Sequence, residues 1–188
     1  SSARQLLHLI NDILDLSKIE AGRMDIAAAE FDLVALIGEA AATVRPNVEK
    51  NASVLRLDLP ASLGDMCTDS FKLNQCLLNL LSNAAKFTKG GEITVSARRD
   101  GEFIDIAVAD TGIGMSEEQV GRLFNAFVQA DALTARRYGG TGLGLALTRR
   151  VMQMLDGDVS VASVQGKGST FTLRFPAQFG SARMLARV

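Results

Sequence analysis

Leu6, Leu9, Ile13 and Leu16 step by three and four from the start of the chain, and Leu7, Ile10, Leu14 and Ile19 widen their stripe. That spacing predicts a helix over residues 1 to about 22, stopped by Gly22. A stripe so wide suits a multi-helix bundle better than a two-stranded seam. Nothing nearby partners it, so this helix is expected to be half of a hairpin whose first half lies upstream. From Phe31 the pattern becomes that of an α/β domain. A short strand is expected at Phe31 to Leu33 and a helix over Val34 to Asn51, with Pro46 bending it or sitting at a break. Val54 to Leu59 alternates as a strand, and Lys72 to Phe87 reads as a long helix. Ile93 to Arg99 and Phe103 to Asp110 form an antiparallel pair around Asp100-Gly101. Ser116-Glu117-Glu118 caps a short helix ending near Phe124. Residues 125 to 141 have no period. Leu143 to Leu155 is helical, and Val159 to Val164 with Ser169 to Phe175 make a last hairpin around Gly166-Lys167-Gly168. Gln178 to Val188 reads as a tail or the start of a linker.

Composition narrows the chemistry. Across 188 residues, 20 basic and 21 acidic side chains leave a charge of −1, so the basic field of a nucleic-acid binder is missing. His8 is the sole histidine, and no acid, Ser or Cys motif surrounds it. Zinc sites, Ser-His-Asp triads and Cys-His pairs are thereby set aside. Cys67 and Cys76 lie in apolar surroundings and are expected as two buried structural thiols of a reducing compartment. No apolar run approaches the ~20 residues of a membrane span, and no signal-peptide pattern opens the chain. The 17 glycines against 3 prolines are clustered, and the clusters are where function is sought.

Three clusters carry chemistry. On the helix through Phe87, Leu73, Leu77, Leu80, Leu81 and Ala84 fall within roughly 100° of arc as a core face, with Asn79, Asn83 and Lys86 on a separate stripe. Two carboxamides and an ammonium so arranged can meet a hard cation and a phosphate. A solvated helix face accounts for the same residues and, taken alone, accounts for them better. The second cluster, Asp110-Thr111-Gly112-Ile113-Gly114, follows a strand on which Ile104, Ile106, Val108 and Asp110 share one face. A carboxylate ending an apolar row needs a donor, and a ligand amino group would serve; a strand-ending Asx turn is the plainer alternative. The third, Gly139-Gly140-Thr141-Gly142-Leu143-Gly144, opens a helix and offers bare amides to phosphate oxygens. Its spacing fits neither a Rossmann fingerprint nor a P-loop.

Asn83 with Lys86-Phe87, Asp110-x-Gly112-x-Gly114, Phe124 with Phe127, and Gly140-x-Gly142-x-Gly144 resemble, in that order, the N, first glycine, F and second glycine boxes of sensor histidine kinases. Leu7-His8-Leu9-Ile10-Asn11-Asp12 through Ala21-Gly22 resembles the second helix of the dimerisation hairpin, so the likeness covers essentially residues 1 to 177. The resemblance implies a Bergerat-type α/β fold of two layers, a mixed sheet covered on one face by helices. It divides the chain into a partial dimerisation helix at 1–22, a linker at 23–30, an ATP-binding catalytic domain at 31–177 and a tail at 178–188. ATP and Mg²⁺ are the implied cofactors, with Asn83 and Asn79 on the metal and Lys86 on the phosphates. Asp110 would accept from the adenine amino group, with Gly112 and Gly114 beside it. Gly140, Thr141, Gly142 and Gly144 would supply phosphate-facing groups, and Leu143, Phe87 and Tyr138 would line the nucleotide. Phe124 and Phe127 would anchor a lid spanning 125 to 141, from which Arg136 or Arg137 reaches the γ-phosphate. Ser169 faces inward with Phe171, Leu173 and Phe175, where Thr170 does not.

The resemblance also sets the partners. These are a His-bearing helix of the same or a partner subunit, a response-regulator receiver, and a second copy in a full-length homodimer, with no nucleic acid. The expected location is cytoplasmic, with any membrane anchor upstream. His8 lacks an H-E or H-D context and reads as a bundle or interface side chain, so the phosphoacceptor is expected on the upstream helix. The competing readings are a nucleotide-free pseudokinase scaffold, against which the intact boxes argue, and another ATPase of the superfold such as a gyrase-like or chaperone domain. Against the latter stand the bundle-type helix and the end of the pattern at Phe175-Pro176.

Overall fold

The computed structural model describes residues 2–125 and 142–180. Helix α1 spans Ser2–Glu20, and Gly22 follows in the left-handed conformation at φ +64°. A two-residue strand β1, Ala29–Glu30, precedes helix α2, Leu33–Lys50. Then come β2 (Val54–Asp58), β3 (Cys67–Thr68), α3 (Ser70–Phe87), β4 (Glu92–Asp100), β5 (Phe103–Asp110), α4 (Glu117–Arg122), α5 (Gly144–Met154), β6 (Asp158–Val164) and β7 (Gly168–Pro176).

The strand expected at Phe31 to Leu33 does not form. Asp32 caps α2 instead, its carboxylate accepting the Ala35 amide at 3.1 Å, and Leu33 is already the first helical residue. The pairing lies one step earlier, where β1 runs antiparallel to β3 in a separate two-stranded sheet. Pro46 stands inside α2 on its exposed side and the helix continues past it to Lys50. Helix α3 begins at Ser70, two residues before the expected Lys72, because Asp69 caps it.

The main sheet has five strands in the order β2-β4-β5-β7-β6, with β2 parallel to β4 and the other pairs antiparallel. Alternation along the central strands turns Ile93, Val95, Ile104, Ile106, Val108, Leu173 and Phe175 to one face, each at most 1% exposed. Helices α2, α3 and α5 cover that face, α3 packing between the other two. Helix α1 touches α5 and leaves Leu6, Leu7, Ile10, Ile13 and Leu14 exposed. Of the two cysteines only Cys76 is buried; Cys67 is partly exposed, because β3 is a two-residue element outside the main sheet.

Candidate active site

The site grows from the C-terminal half of α3, the end of β5 and the start of α5. On α3, Leu73, Leu77, Leu80, Leu81 and Ala84 are buried, which leaves Asn79, Asn83 and Lys86 on a half-buried stripe facing away from the core. The Asn79 amide nitrogen donates to Thr148 Oγ1 of α5 at 2.8 Å. Its oxygen lies against Gly144, where a β-carbon would stand 2.5 Å from Asn79 Oδ1. Among the described residues no side-chain hydrogen bond engages the Asn83 carboxamide. The Lys86 ammonium sits 4.7 Å from the centroid of the Phe87 ring, and partial burial lowers its pKa.

Asp110 stands where its row predicted, continuing Ile104, Ile106 and Val108 on the covered face. Burial pushes its carboxyl above the usual range, against the pull of the Gly112 and Ser169 amides and the neighbouring Thr88 hydroxyl. The Gly112 amide donates to Asp110 Oδ1 at 2.8 Å. Thr88 is 0% exposed, and among the described residues its hydroxyl makes no well-formed hydrogen bond. This buried hydroxyl beside the carboxylate is a site feature that sequence reasoning missed; Thr88 looked only like the end of a helix.

Glycine is required around Asp110 by contact. A β-carbon on Gly112 would collide with the Phe87 carbonyl, one on Gly114 with the Val164 carbonyl, and one on Gly168 with the Asp110 carbonyl. Gly114 and Gly168 also hold φ of +58° and +112°, which side chains resist. Backbone bonds from Ile113 to Phe87 and from Gly166 to Ile113 pin this loop between α3 and the β6–β7 turn.

Ser169 is buried, but its hydroxyl is engaged. Ser163 Oγ donates its single proton to the Gly168 carbonyl at 3.0 Å, so the 2.9 Å contact between the two hydroxyls has Ser169 donating to Ser163. The Ser169 amide, rather than its hydroxyl, faces Asp110. At the third cluster Gly142 has φ +71°, Leu143 is 1% exposed, and Gly144 opens α5 with no side-chain cap. Phe124 lies under the Arg149 guanidinium, 5.2 Å from the ring centroid. Phe127, Arg136, Arg137, Tyr138, Gly140 and Thr141 lie outside the described residues. No group of three or more His, Cys, Asp or Glu side chains among the described residues could hold a metal ion.

Residues 68–178 match the family of histidine kinase-, DNA gyrase B-, and HSP90-like ATPases. The chain is 41% identical over 188 residues to the autoinducer 2 sensor kinase/phosphatase LuxQ of Vibrio vulnificus strain YJ016, covering 96% of this chain and 22% of that protein. It is 41% identical over 180 residues to the sensor histidine kinase RcsC of Salmonella typhimurium, covering 94% of this chain and 19% of that one. This chain thus spans about a fifth of the length of these curated relatives. Among solved structures, full-length ShkA in complex with AMPPNP superposes with a TM-score of 0.85 at 31% identity, covering 95% of this chain and 37% of ShkA. The Acinetobacter baumannii histidine kinase AdeS, at 24% identity and a TM-score of 0.78 over 93% of this chain and 80% of that one, shares the fold. The end-of-strand carboxylate, its glycine cradle and the α3 stripe lie within the matched residues, and the chain belongs to the histidine kinase-, DNA gyrase B-, and HSP90-like ATPases as a histidine kinase ATP-binding domain.

Proposed function

We propose that this domain binds Mg-ATP between α3 and the start of α5 and presents the γ-phosphoryl group to a histidine on a bundle helix, from which it passes to a receiver aspartate. Asp110 carries the reading. It is a carboxylate kept at the end of a buried apolar row, held by two backbone amides and adjoined by the buried Thr88 hydroxyl. A purine amino group would give it the donor its burial calls for. The tight contacts at Gly112, Gly114 and Gly168 keep the surrounding backbone free of side chains, as close approach of a flat base requires.

The donor set on α3 fits a hard cation: two carboxamides one turn apart, with Asn83 unengaged by the described side chains. Asn83, with Asn79 assisting, would hold Mg²⁺, which supplies charge neutralisation at the β- and γ-phosphates. Lys86, its ammonium half-desolvated, would meet the phosphate oxygens. Gly142 and Gly144 would offer amides at the opening of α5. Arg136 and Arg137 are assigned to the γ-phosphate on the resemblance alone. Phosphoryl transfer of this kind rests on positioning and electrostatics, and the acceptor is a nucleophile that His8 does not supply.

In this reading residues 1–22 are one helix of a dimerisation hairpin, residues 31–177 the catalytic unit, and the partners a His-bearing helix and a receiver. No described helix is long and apolar enough to cross a membrane. Calorimetric titration tests the nucleotide and metal assignments together. ATP and ADP should bind, more tightly with Mg²⁺ than in EDTA, and Asn83→Ala should remove that difference while leaving binding in EDTA intact. Equal affinity with and without Mg²⁺ in the unmodified protein would refute the metal assignment.

A further inference from the structure

Thr148 belongs to none of the sequence motifs, yet among the described residues it is a point at which α3 and α5 are bonded side chain to side chain. It is 2% exposed, its hydroxyl oxygen accepts from Asn79 Nδ2 at 2.8 Å, and its carbonyl lies 3.8 Å from the Cys76 thiol. Asn79 and Cys76 are one turn apart on α3, so both contacts fasten the same turn of α5.

A carboxamide fits its site in two orientations that exchange a donor for an acceptor. At Asn79 they are not equivalent. With nitrogen toward Thr148, one amide hydrogen meets a hydroxyl oxygen, and Oδ1 rests on the bare methylene of Gly144, which can give a weak C–H···O contact. Turned over, the amide would place its two donors against that methylene and leave them unsatisfied, a desolvation loss. Any side chain on Gly144 would close the gap, since its β-carbon would stand 2.5 Å from Oδ1.

We propose that Thr148 is a positioning residue for the metal end of the site: by taking the Asn79 amide nitrogen it turns the Asn79 oxygen toward Gly144 at the opening of α5, as the atom offered to a cation that Asn83 holds. The inference rests on the preceding reading, in which Asn79 assists Asn83 on Mg²⁺. Outer partners of metal ligands act in this way, fixing which atom a ligand presents.

The test is the ratio of ATP dissociation constants in EDTA and in Mg²⁺, measured by calorimetry on the whole chain. Thr148→Val keeps the shape and removes the acceptor. It should lower that ratio about tenfold, a loss typical of removing an outer partner of a metal ligand, while the affinity in EDTA stays within about twofold. Thr148→Ser should restore the ratio. Asn79→Ala should lower it as far as Thr148→Val does, and the double variant no further, as expected of residues acting through one contact. Three results overturn the proposal: an unchanged ratio in Thr148→Val, a Thr148→Ser that behaves like Val, or a loss of affinity in EDTA equal to that in Mg²⁺, which signals damaged packing. An unmodified protein that binds ATP with no Mg²⁺ dependence refutes the metal reading itself, and the role of Thr148 falls with it.

Discussion

Asp110, proposed above to meet the adenine amino group, shows what a buried carboxylate costs the fold that carries it. Its carboxyl titrates above the usual range because burial disfavours the charge, so the folded protein holds that proton more tightly than the unfolded chain. Stability from this group is therefore greatest in acid and declines as pH rises from the ordinary carboxylate range through the raised pKa. Asp110→Asn escapes that penalty, and the Tm of the variant should gain on the unmodified protein as pH rises through this window. The same substitution faces an adenine amino group with another donor and should weaken ATP binding by about 1–3 kcal/mol, read by calorimetry. A variant equal in affinity would remove Asp110 from adenine recognition. Asp105, on the opposite face of β5, shows a different solution for a buried carboxylate. Arg174 meets both its oxygens at 2.8 and 2.9 Å and Arg98 adds a bond of 2.9 Å, so this 6%-exposed acid is answered within the sheet.

Among the elements, α3 depends on a residue just outside its apolar period. The buried Asp69 carboxylate accepts the Lys72 amide at 3.0 Å, the Lys72 ammonium at 2.8 Å and the Ala27 amide at 2.9 Å, tying the segment after α1 to the helix that bears Asn79 and Asn83. Burial alone would raise its pKa, but Lys72 and the amides outweigh that and lower it. Its contribution is thus present above the ordinary carboxylate range and is lost as pH falls through the lowered pKa. Asp69→Ala removes a cap and strands Lys72 and should cost about 2–4 kcal/mol, measured by urea unfolding near neutral pH, with the difference shrinking in strong acid. Gly168→Ala should be no milder, at about 2 kcal/mol or more, because the Asp110 carbonyl occupies the space of the new methyl and φ is +112°.

The same helix shows how far the sequence could be read. Leu73 through Ala84 declared themselves by period, as did the hairpin strands and the row ending at Asp110, because those signals lie within one element. Partners 42 and 69 residues apart, Ala27 with Asp69 and Asn79 with Thr148, have no local signature. A two-residue strand such as β1 has no period to detect, and Phe31 and Leu33 looked extended only because Asp32, their cap, broke the helical spacing. The glycines drew attention to the β6–β7 turn and the loop after β5, but their need to interlock is a matter of three-dimensional contact.

For the molecule as a whole, α1 leaves Leu6, Leu7, Ile10, Ile13 and Leu14 in solvent at 42–60% exposure, the surface a bundle would cover. In the proposed reading the acceptor lies on a separate helix, and the catalytic unit and its acceptor are separable. Supplied with Mg-ATP alone, this chain should accumulate no acid-labile, base-stable phosphohistidine, whereas addition of a hairpin fragment bearing the acceptor should yield one that survives His8→Gln. Label lost on His8→Gln would make His8 the acceptor and overturn this division.

The unequal burial of the two thiols has a practical consequence. Burial pushes the Cys76 thiol up to about 12, so at neutral pH it is neither ionised nor reachable, while Cys67 stands partly open in the two-residue strand β3. A maleimide probe should therefore modify the native chain once, at Cys67, and leave the contact between α3 and Thr148 untouched. The second modification must wait until α3 and α5 separate. Its rate under excess reagent is a stopwatch for that separation, and bound nucleotide, if it bridges the two helices, will slow it.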